Sequence, residues 1–164
     1  MTGTVGDAYR ACESITRLQA RNFYYGIRLL PAAKRLALCA VYALARRIDD
    51  IGDGDLPPAA KSEGLAEVRA SLRDIAASPD PVLVAVADAS RRFPIPLGAF
   101  DELIDGVEMD LSGRTYDSFD DLVGYCRCVA GSVGRLCLGV FGSRPDPRAS
   151  VYADTLGIDR KSVV

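Results

Sequence analysis

An all-α fold is what this chain of 164 residues predicts, and three observations carry the expectation. Apolar residues recur at three- and four-residue spacing in nearly every segment, and no run alternates as a half-buried strand does. Proline and glycine clusters cut the chain into pieces of helical length. The linkers left between those pieces are short, with no low-complexity tract and no internal repeat. Helices that each carry one apolar stripe must bury it on one another, so a single domain of stacked helices is expected.

The first helix is expected from about Asp7 to Ala20. An aromatic and apolar segment, Asn22 to Leu30, then leads to Pro31, which suits a helix start because its missing N–H costs little there. The second helix runs from Pro31 to about Ile51, where Gly52, Gly54, Pro57 and Pro58 break the pattern. A more polar third helix covers about Ala59 to Ala77. The turn Ser78-Pro79-Asp80-Pro81 opens a short helix to about Arg92. After Pro94 and Pro96 another helix covers roughly Leu97 to Leu111. Ser118, with Asp121 three residues on, reads as a capping box. The helix it opens extends to about Phe141, with Leu122, Val129, Val133, Leu136 and Val140 on its apolar face. A last helix begins near Asp146-Pro147 and runs toward Gly157.

Composition narrows the chemistry. Apolar residues make up 49% and charged residues 26% of the chain, the balance of a globular protein. Net charge is −2, both signs are mixed and no basic run stands out, so no nucleic-acid partner is expected. No apolar stretch approaches the roughly 20 residues that span a bilayer, and the start lacks the parts of a signal peptide. The chain is read as cytoplasmic. Its five cysteines, Cys12, Cys39, Cys126, Cys128 and Cys137, are odd in number and scattered, which suits buried thiols better than disulfides or zinc. Histidine is absent, which removes Ser-His-Asp triads, Cys-His pairs and His-bound zinc. Catalysis must rest on carboxylates, Tyr, Arg or Lys, or on a metal held by oxygen.

The second helix offers such a site. Ala37, Val41, Leu44, Ile48 and Ile51 form an ordinary core stripe. Tyr42, Arg46, Asp49 and Asp53 form another, about a quarter-turn away, at 4, 3, 4 spacing. Asp49 and Asp53 are i,i+4 neighbours that repel, Asp50 adds a third negative charge, and a helix C-terminus disfavours all three. A hard divalent cation such as magnesium compensates such a cluster, usually with substrate phosphates completing its shell. Arg46 has the fork geometry to hold phosphate oxygens. The alternative is a solvated helix end. A calcium loop of EF-hand type fails on spacing. A second acidic group, Asp105, Glu108 and Asp110, reads mostly as a solvated face.

Asp49-Asp50-Ile51-Gly52-Asp53 also has the DDxxD form of enzymes that act on prenyl diphosphates. The segment Ala20-Arg21-Asn22-Phe23-Tyr24-Tyr25-Gly26-Ile27-Arg28-Leu29-Leu30-Pro31 resembles the one preceding that motif in squalene and phytoene synthases. Tyr125-Cys126-Arg127-Cys128-Val129-Ala130-Gly131-Ser132-Val133-Gly134 resembles their YCxxVAGxVG signature. Order and separation match, from about Tyr9 to Ile158. Within the family the run Arg46 to Gly54 and the Arg127-Cys128 pair are most similar to bacterial presqualene diphosphate synthases.

That resemblance implies the N-terminal part of the all-α isoprenoid synthase fold. It implies a magnesium-dependent prenyltransferase that joins two farnesyl diphosphates head to head into presqualene diphosphate, on the squalene and hopanoid route. By position, Asp49, Asp50 and Asp53 match metal-binding aspartates, Tyr42 and Arg46 match diphosphate-side residues, and Tyr125 matches the catalytic tyrosine. Phe23, Ile27, Val129 and Val133 match the apolar walls around the prenyl tails. The alternatives are a phytoene synthase using geranylgeranyl diphosphate and a non-catalytic helical scaffold. For Tyr125, Val129 and Val133 a plain core role is the competing reading, and for Gly131 and Gly134 close helix packing. Very apolar products make transient membrane contact compatible with the sequence, although no basic amphipathic helix stands out.

The family's second aspartate motif has no counterpart here. Resemblance stops at Ile158, and Asp159-Arg160-Lys161-Ser162-Val163-Val164 reads like one translated frame of a sequencing adapter. The expectation is therefore a partial synthase domain over 1–158 with a non-native tail over 159–164, and little or no activity from this chain alone.

Overall fold

The computed structural model describes residues 4–142 and 147–162, with side chains as far as residue 159. Among the described residues every regular element is helical. In order they are α1 (Val5–Gln19), α2 (Arg21–Ile27), α3 (Ala32–Asp53), α4 (Pro58–Arg73), a single 3₁₀ turn (Ile75–Ala77), α5 (Pro81–Arg92), α6 (Gly98–Leu111), α7 (Phe119–Cys126), a π turn (Arg127–Gly131), α8 (Ser132–Phe141) and α9 (Pro147–Ser162).

Each boundary has a local cause. Thr4 and Asp7 close a reciprocal capping box that starts α1 two residues before the expected Asp7. The aromatic segment before Pro31 is itself a short helix, α2. Asp80 caps α5 by accepting from the N–H groups of Val82 and Leu83 at 2.8 and 3.2 Å. Ser118 caps α7, accepting from Asp121 N at 3.1 Å. The third helix ends at Arg73 rather than Ala77, and the rest tightens into the 3₁₀ turn. Asp146 lies outside the described residues, and α9 extends past the expected Gly157 to Ser162. Val163 and Val164 lie outside the described residues.

Helix α3 is the spine, packed against α1, α4, α5, α6 and α8. Its expected stripe is the core: Ala37, Val41, Leu44 and Ile48 are buried and Ile51 half-buried. Phe100, Leu103 and Ile104 of α6 and Leu136 and Val140 of α8 complete it.

Two differences from the expected helices shape the site. Gly52 does not end α3. The helix passes through it to Asp53, and Gly54 takes the cap, so Asp49 and Asp53 share one helix. A Cβ at Gly52 would stand 2.5 Å from Val107 Cγ1, so the missing side chain is what lets α3 approach α6. The helix expected from Ser118 to Phe141 is interrupted by the π turn, in which the Ser132 N–H reaches back five residues to the Arg127 carbonyl. The extra residue per turn changes the phase of the apolar face. Leu136 and Val140 are buried in the core and Val133, on the same helix, packs half-buried against it while lining both apolar pockets; Val129, inside the π turn, lines the polar cavity and one apolar pocket. Gly106 of α6 seats this turn, since a Cβ there would meet Val129 Cγ1 at 2.5 Å.

Candidate active site

Asp49 and Asp53, one turn apart on α3, open onto a polar cavity of about 240 Å³. Gly52 of α3, Val107 and Asp110 of α6, and Tyr125 and Val129 from the other side complete its wall. Asp110, expected mostly on a solvated face, is exposed and also lines this cavity with Asp49 and Asp53. The Tyr125 hydroxyl donates to Asp110 Oδ2 at 2.9 Å. Burial first, then this bond and the Asp110 charge, push the Tyr125 phenol well above the usual tyrosine range, so it stays protonated at neutral pH. Tyr116, from the α6–α7 connection, stacks on it with ring centroids 5.1 Å apart, and the buried Tyr116 hydroxyl has no hydrogen-bond partner among the described residues.

The rest of the acidic cluster has a different role. Asp105 and Glu108, with Asp101, converge on Arg69 of α4 at 2.7, 3.3 and 3.5 Å. They tie α4 to α6, whereas Asp110, at the end of α6, is turned toward the cavity.

The charge at the end of α3 is compensated in part by protein groups. Asp50 does not join the cavity. It turns to Arg46, one turn back, at 2.6 Å, while the buried Arg46 Nε has no hydrogen-bond partner among the described residues. Lys61 Nζ donates to the Gly52 carbonyl at 2.7 Å, a positive charge where the helix dipole favours one.

Next to the polar cavity lies an apolar one in two lobes. One lobe, about 460 Å³, is walled by Phe23, Ile27, Val41, Tyr42, Ala45, Val133 and Cys137. Tyr42 stands in this apolar wall, within the electrostatic reach of Arg46, Asp50 and Asp49. The other lobe, about 820 Å³, runs between Phe23, Val129, Val133 and the α9 face bearing Tyr152 and Leu156. Phe23, Val133 and Cys137 belong to both lobes, and Val129 belongs to the second lobe and to the polar cavity. The four residues expected around prenyl tails are thus brought to one continuous surface. Cys12, Cys39 and Cys126 are buried, Cys128 and Cys137 half-buried, and all five are free thiols. Burial pushes the Cys137 thiol up to about 11.

The far side is closed by charge. Arg135 of α8 pairs with Glu102 of α6 at 2.5 Å and with Asp154 of α9. Arg127 reaches the same Asp154 at 3.2 Å. Gly131 and Gly134 serve packing, since a Cβ at either would press on Asp154 or Ala153 of α9.

Residues 16–158 match the family model described as squalene/phytoene synthase. The phytoene synthase of Mycobacterium tuberculosis (strain ATCC 25618 / H37Rv) is 56% identical over 154 residues, which cover 94% of this chain and 51% of the relative. The phytoene synthase of Arthrospira platensis is 40% identical, over 87% of this chain and 47% of its own length. Among solved structures, a dehydrosqualene synthase in complex with ligand superposes with a TM-score of 0.86 at 31% identity, covering 96% of this chain and 55% of that one. The squalene synthase HpnC from Alicyclobacillus acidocaldarius gives 0.84 at 30% identity, over 94% of this chain and 58% of its own. The chain spans about half the length of the curated relatives it matches. With the all-α fold, the DDxxD helix and the tyrosine signature meeting at one cavity, this chain belongs to the squalene/phytoene synthase family.

Proposed function

We propose that this chain supplies one half of a prenyltransferase site that joins two allylic prenyl diphosphates head to head. The observation that carries the reading is the meeting, at Val129, of a carboxylate-lined cavity and a two-lobed apolar one. Substrates with a diphosphate head and a long hydrocarbon tail need that adjacency.

Carboxylate oxygens are the donors a hard cation prefers. Asp49 and Asp53 would hold magnesium together with substrate phosphate. Asp50, engaged with Arg46, is the weakest member of the expected set. Bound there, magnesium supplies positive charge that offsets the leaving diphosphate.

The chain's own groups account for the rest. Arg46 sits one turn behind Asp50 as a reserve of positive charge for the departing diphosphate. The apolar walls keep water from the allylic cation, which the double bond of the second substrate attacks. Closing a cyclopropane then releases one proton. The Tyr125 oxygen, whose own proton is held by Asp110 at 2.9 Å, is positioned to hold or pass on that proton.

For the substrate, the curated relatives favour geranylgeranyl diphosphate, with phytoene as product, over two farnesyl diphosphates giving presqualene diphosphate. Relatives named phytoene synthase reach 56% identity. The Arg127-Cys128 pair, which pointed to presqualene diphosphate, loses weight because Arg127 is engaged with Asp154. A chimera tests both readings. Residues 1–158 would continue into the second half of the Mycobacterium tuberculosis relative. Given magnesium and each diphosphate in turn, it should yield phytoene from geranylgeranyl diphosphate. Presqualene diphosphate from farnesyl diphosphate as the dominant product would restore the first reading, and no product from either would oppose both.

A further inference from the structure

The connection from α6 to α7, residues 112–118, runs over the surface. From Ser112 to Asp121 every residue is exposed except Tyr116, which is half-buried. The backbone explains how it is tucked in. Ser112 Oγ donates to the Met109 carbonyl at 2.7 Å. The Gly113 and Arg114 N–H groups reach back to the Asp110 and Met109 carbonyls at 3.1 and 3.4 Å. Gly113 takes a left-handed φ of 62°, which a residue with a side chain adopts only at a cost. The chain therefore reverses directly after Asp110, and Ser118 fixes the other end by capping α7. Between these anchors Tyr116 lays its ring on that of Tyr125, with centroids 5.1 Å apart and planes tilted by 34°.

One stretch of chain thus restrains Tyr125 twice. Asp110 accepts from its hydroxyl at 2.9 Å, and Tyr116 covers its ring. The second restraint matters because Tyr125 has open space on two sides. It lines the polar cavity with Asp49 and Asp53. It also lines a surface groove of about 520 Å³, together with Tyr116, Arg114, Arg127 and Cys128. A side chain that loses a neighbour on one side gains a further rotamer there. The Tyr116 hydroxyl is buried and makes no hydrogen bond among the described residues, so the contact with Tyr125 is made by the ring.

We propose that Tyr116 is a positioning residue: its ring closes the groove side of Tyr125 and so holds the Tyr125 oxygen at the polar cavity. Tyr116 is not among the residues that wall that cavity, so it acts through Tyr125 and not on substrate. The inference rests on the proton-handling role given to Tyr125 in the proposed prenyl transfer. Such an oxygen must be held closely, since misplacement by about 1 Å costs about a hundredfold in rate. An aromatic partner suits the task. A flat ring removes lateral freedom and leaves the hydroxyl its bond to Asp110.

Kinetics of the chimera described above test it, with magnesium and either geranylgeranyl or farnesyl diphosphate. Tyr116→Ala, and Tyr116→Leu, which keeps bulk without a ring, should lower kcat by about tenfold to a hundredfold, with KM changed by less than about threefold. Tyr116→Phe should turn over like the parent. In a Tyr125→Phe background the Tyr116→Ala loss should nearly vanish, because the group it positions is gone. Circular dichroism checks that the variants keep their helices. Equal losses in both backgrounds would overturn the proposal. So would a Tyr116→Phe variant as slow as Tyr116→Ala, which would assign the effect to the hydroxyl. A reading free of the reaction comes from magnetic resonance of the same chimera with ring-labelled tyrosine, Tyr125 being assigned through Tyr125→Phe. The Tyr125 ring should flip faster in Tyr116→Ala than in the parent or in Tyr116→Phe. A folded chimera inactive with both diphosphates counts against the proposed function, whereas unchanged flips in Tyr116→Ala defeat the positioning role itself.

Discussion

Tyr125 and Asp110 come from different helices and meet in a 2.9 Å hydrogen bond at the wall of the cavity that holds Asp49 and Asp53. Part of the upward shift of the Tyr125 phenol is due to the Asp110 carboxylate. Asp110→Ala removes that charge, so the tyrosine should titrate at lower pH than in the parent. Tyrosinate absorbance, with Tyr125→Phe as the reference, measures this. In the chimera the same substitution should lower turnover by about a hundredfold, the usual size of a lost proton-handling group, with KM changed much less.

Gly52 sets how closely α3 approaches α6. Gly52→Ala places a Cβ 2.5 Å from Val107 Cγ1, well inside contact distance. Overpacking of this kind costs about 1–3 kcal/mol. Chemical denaturation should show that loss, and Gly52→Ala/Val107→Ala should recover part of it, which a helix-propensity effect would not do.

Tyr9 gives an alkaline dependence with a definite sign. Burial and its bond to Asp88 at 2.9 Å raise its phenol to about 12. A group raised in the folded state contributes fully below its unfolded pKa and loses that contribution as pH rises through the folded value. Stability from Tyr9 should therefore fall between about pH 10 and pH 12, by about 2 kcal/mol in all. In Tyr9→Phe the alkaline decline should be shallower over that window.

Asp80 does two things at once, capping α5 and pairing with Arg47 at 3.1 Å. Partial burial alone would raise its carboxyl, but the Arg47 and backbone N–H bonds outweigh it and hold it below the usual value. Its contribution is thus present above the ordinary aspartate pKa and lost as pH falls through the depressed one. Asp80→Ala should cost about 1–2 kcal/mol at neutral pH, mostly from the cap, and less in strong acid, as urea melts at several pH values would show.

Cys137 reports on the apolar cavity. With its thiol raised to about 11, its thiolate is scarce at pH 8, and labelling there should be about a hundredfold slower than for a free thiol. Mass-resolved alkylation measures this, and an occupant of the cavity should slow it further.

The α3 stripes were legible in the sequence because helical periodicity fixes which side chains share a face. Asp49 and Asp53 therefore emerged together. Asp110 did not, because the spacing Asp105, Glu108, Asp110 carries no information about which neighbour each acid meets. Only the fold assigns the first two to Arg69 and the last to Tyr125. The π turn was equally hidden. Val129, Val133, Leu136 and Val140 read as one core face in a regular helix, but Val129 lies inside a wider turn and lines the polar cavity, while the other three keep the register of α8. Arg46 illustrates the opposite limit: its place behind the aspartates was legible, but its pairing with Asp50 rather than with solvent required coordinates.

The most direct measurement of the site as a whole is the rate of diphosphate release from geranylgeranyl diphosphate by the chimera, with and without magnesium, in the parent and in Asp49→Asn and Asp53→Asn. The account expects release to need magnesium and to fall by about a hundredfold or more in each variant. Release that persists in both variants at the parent rate would contradict it.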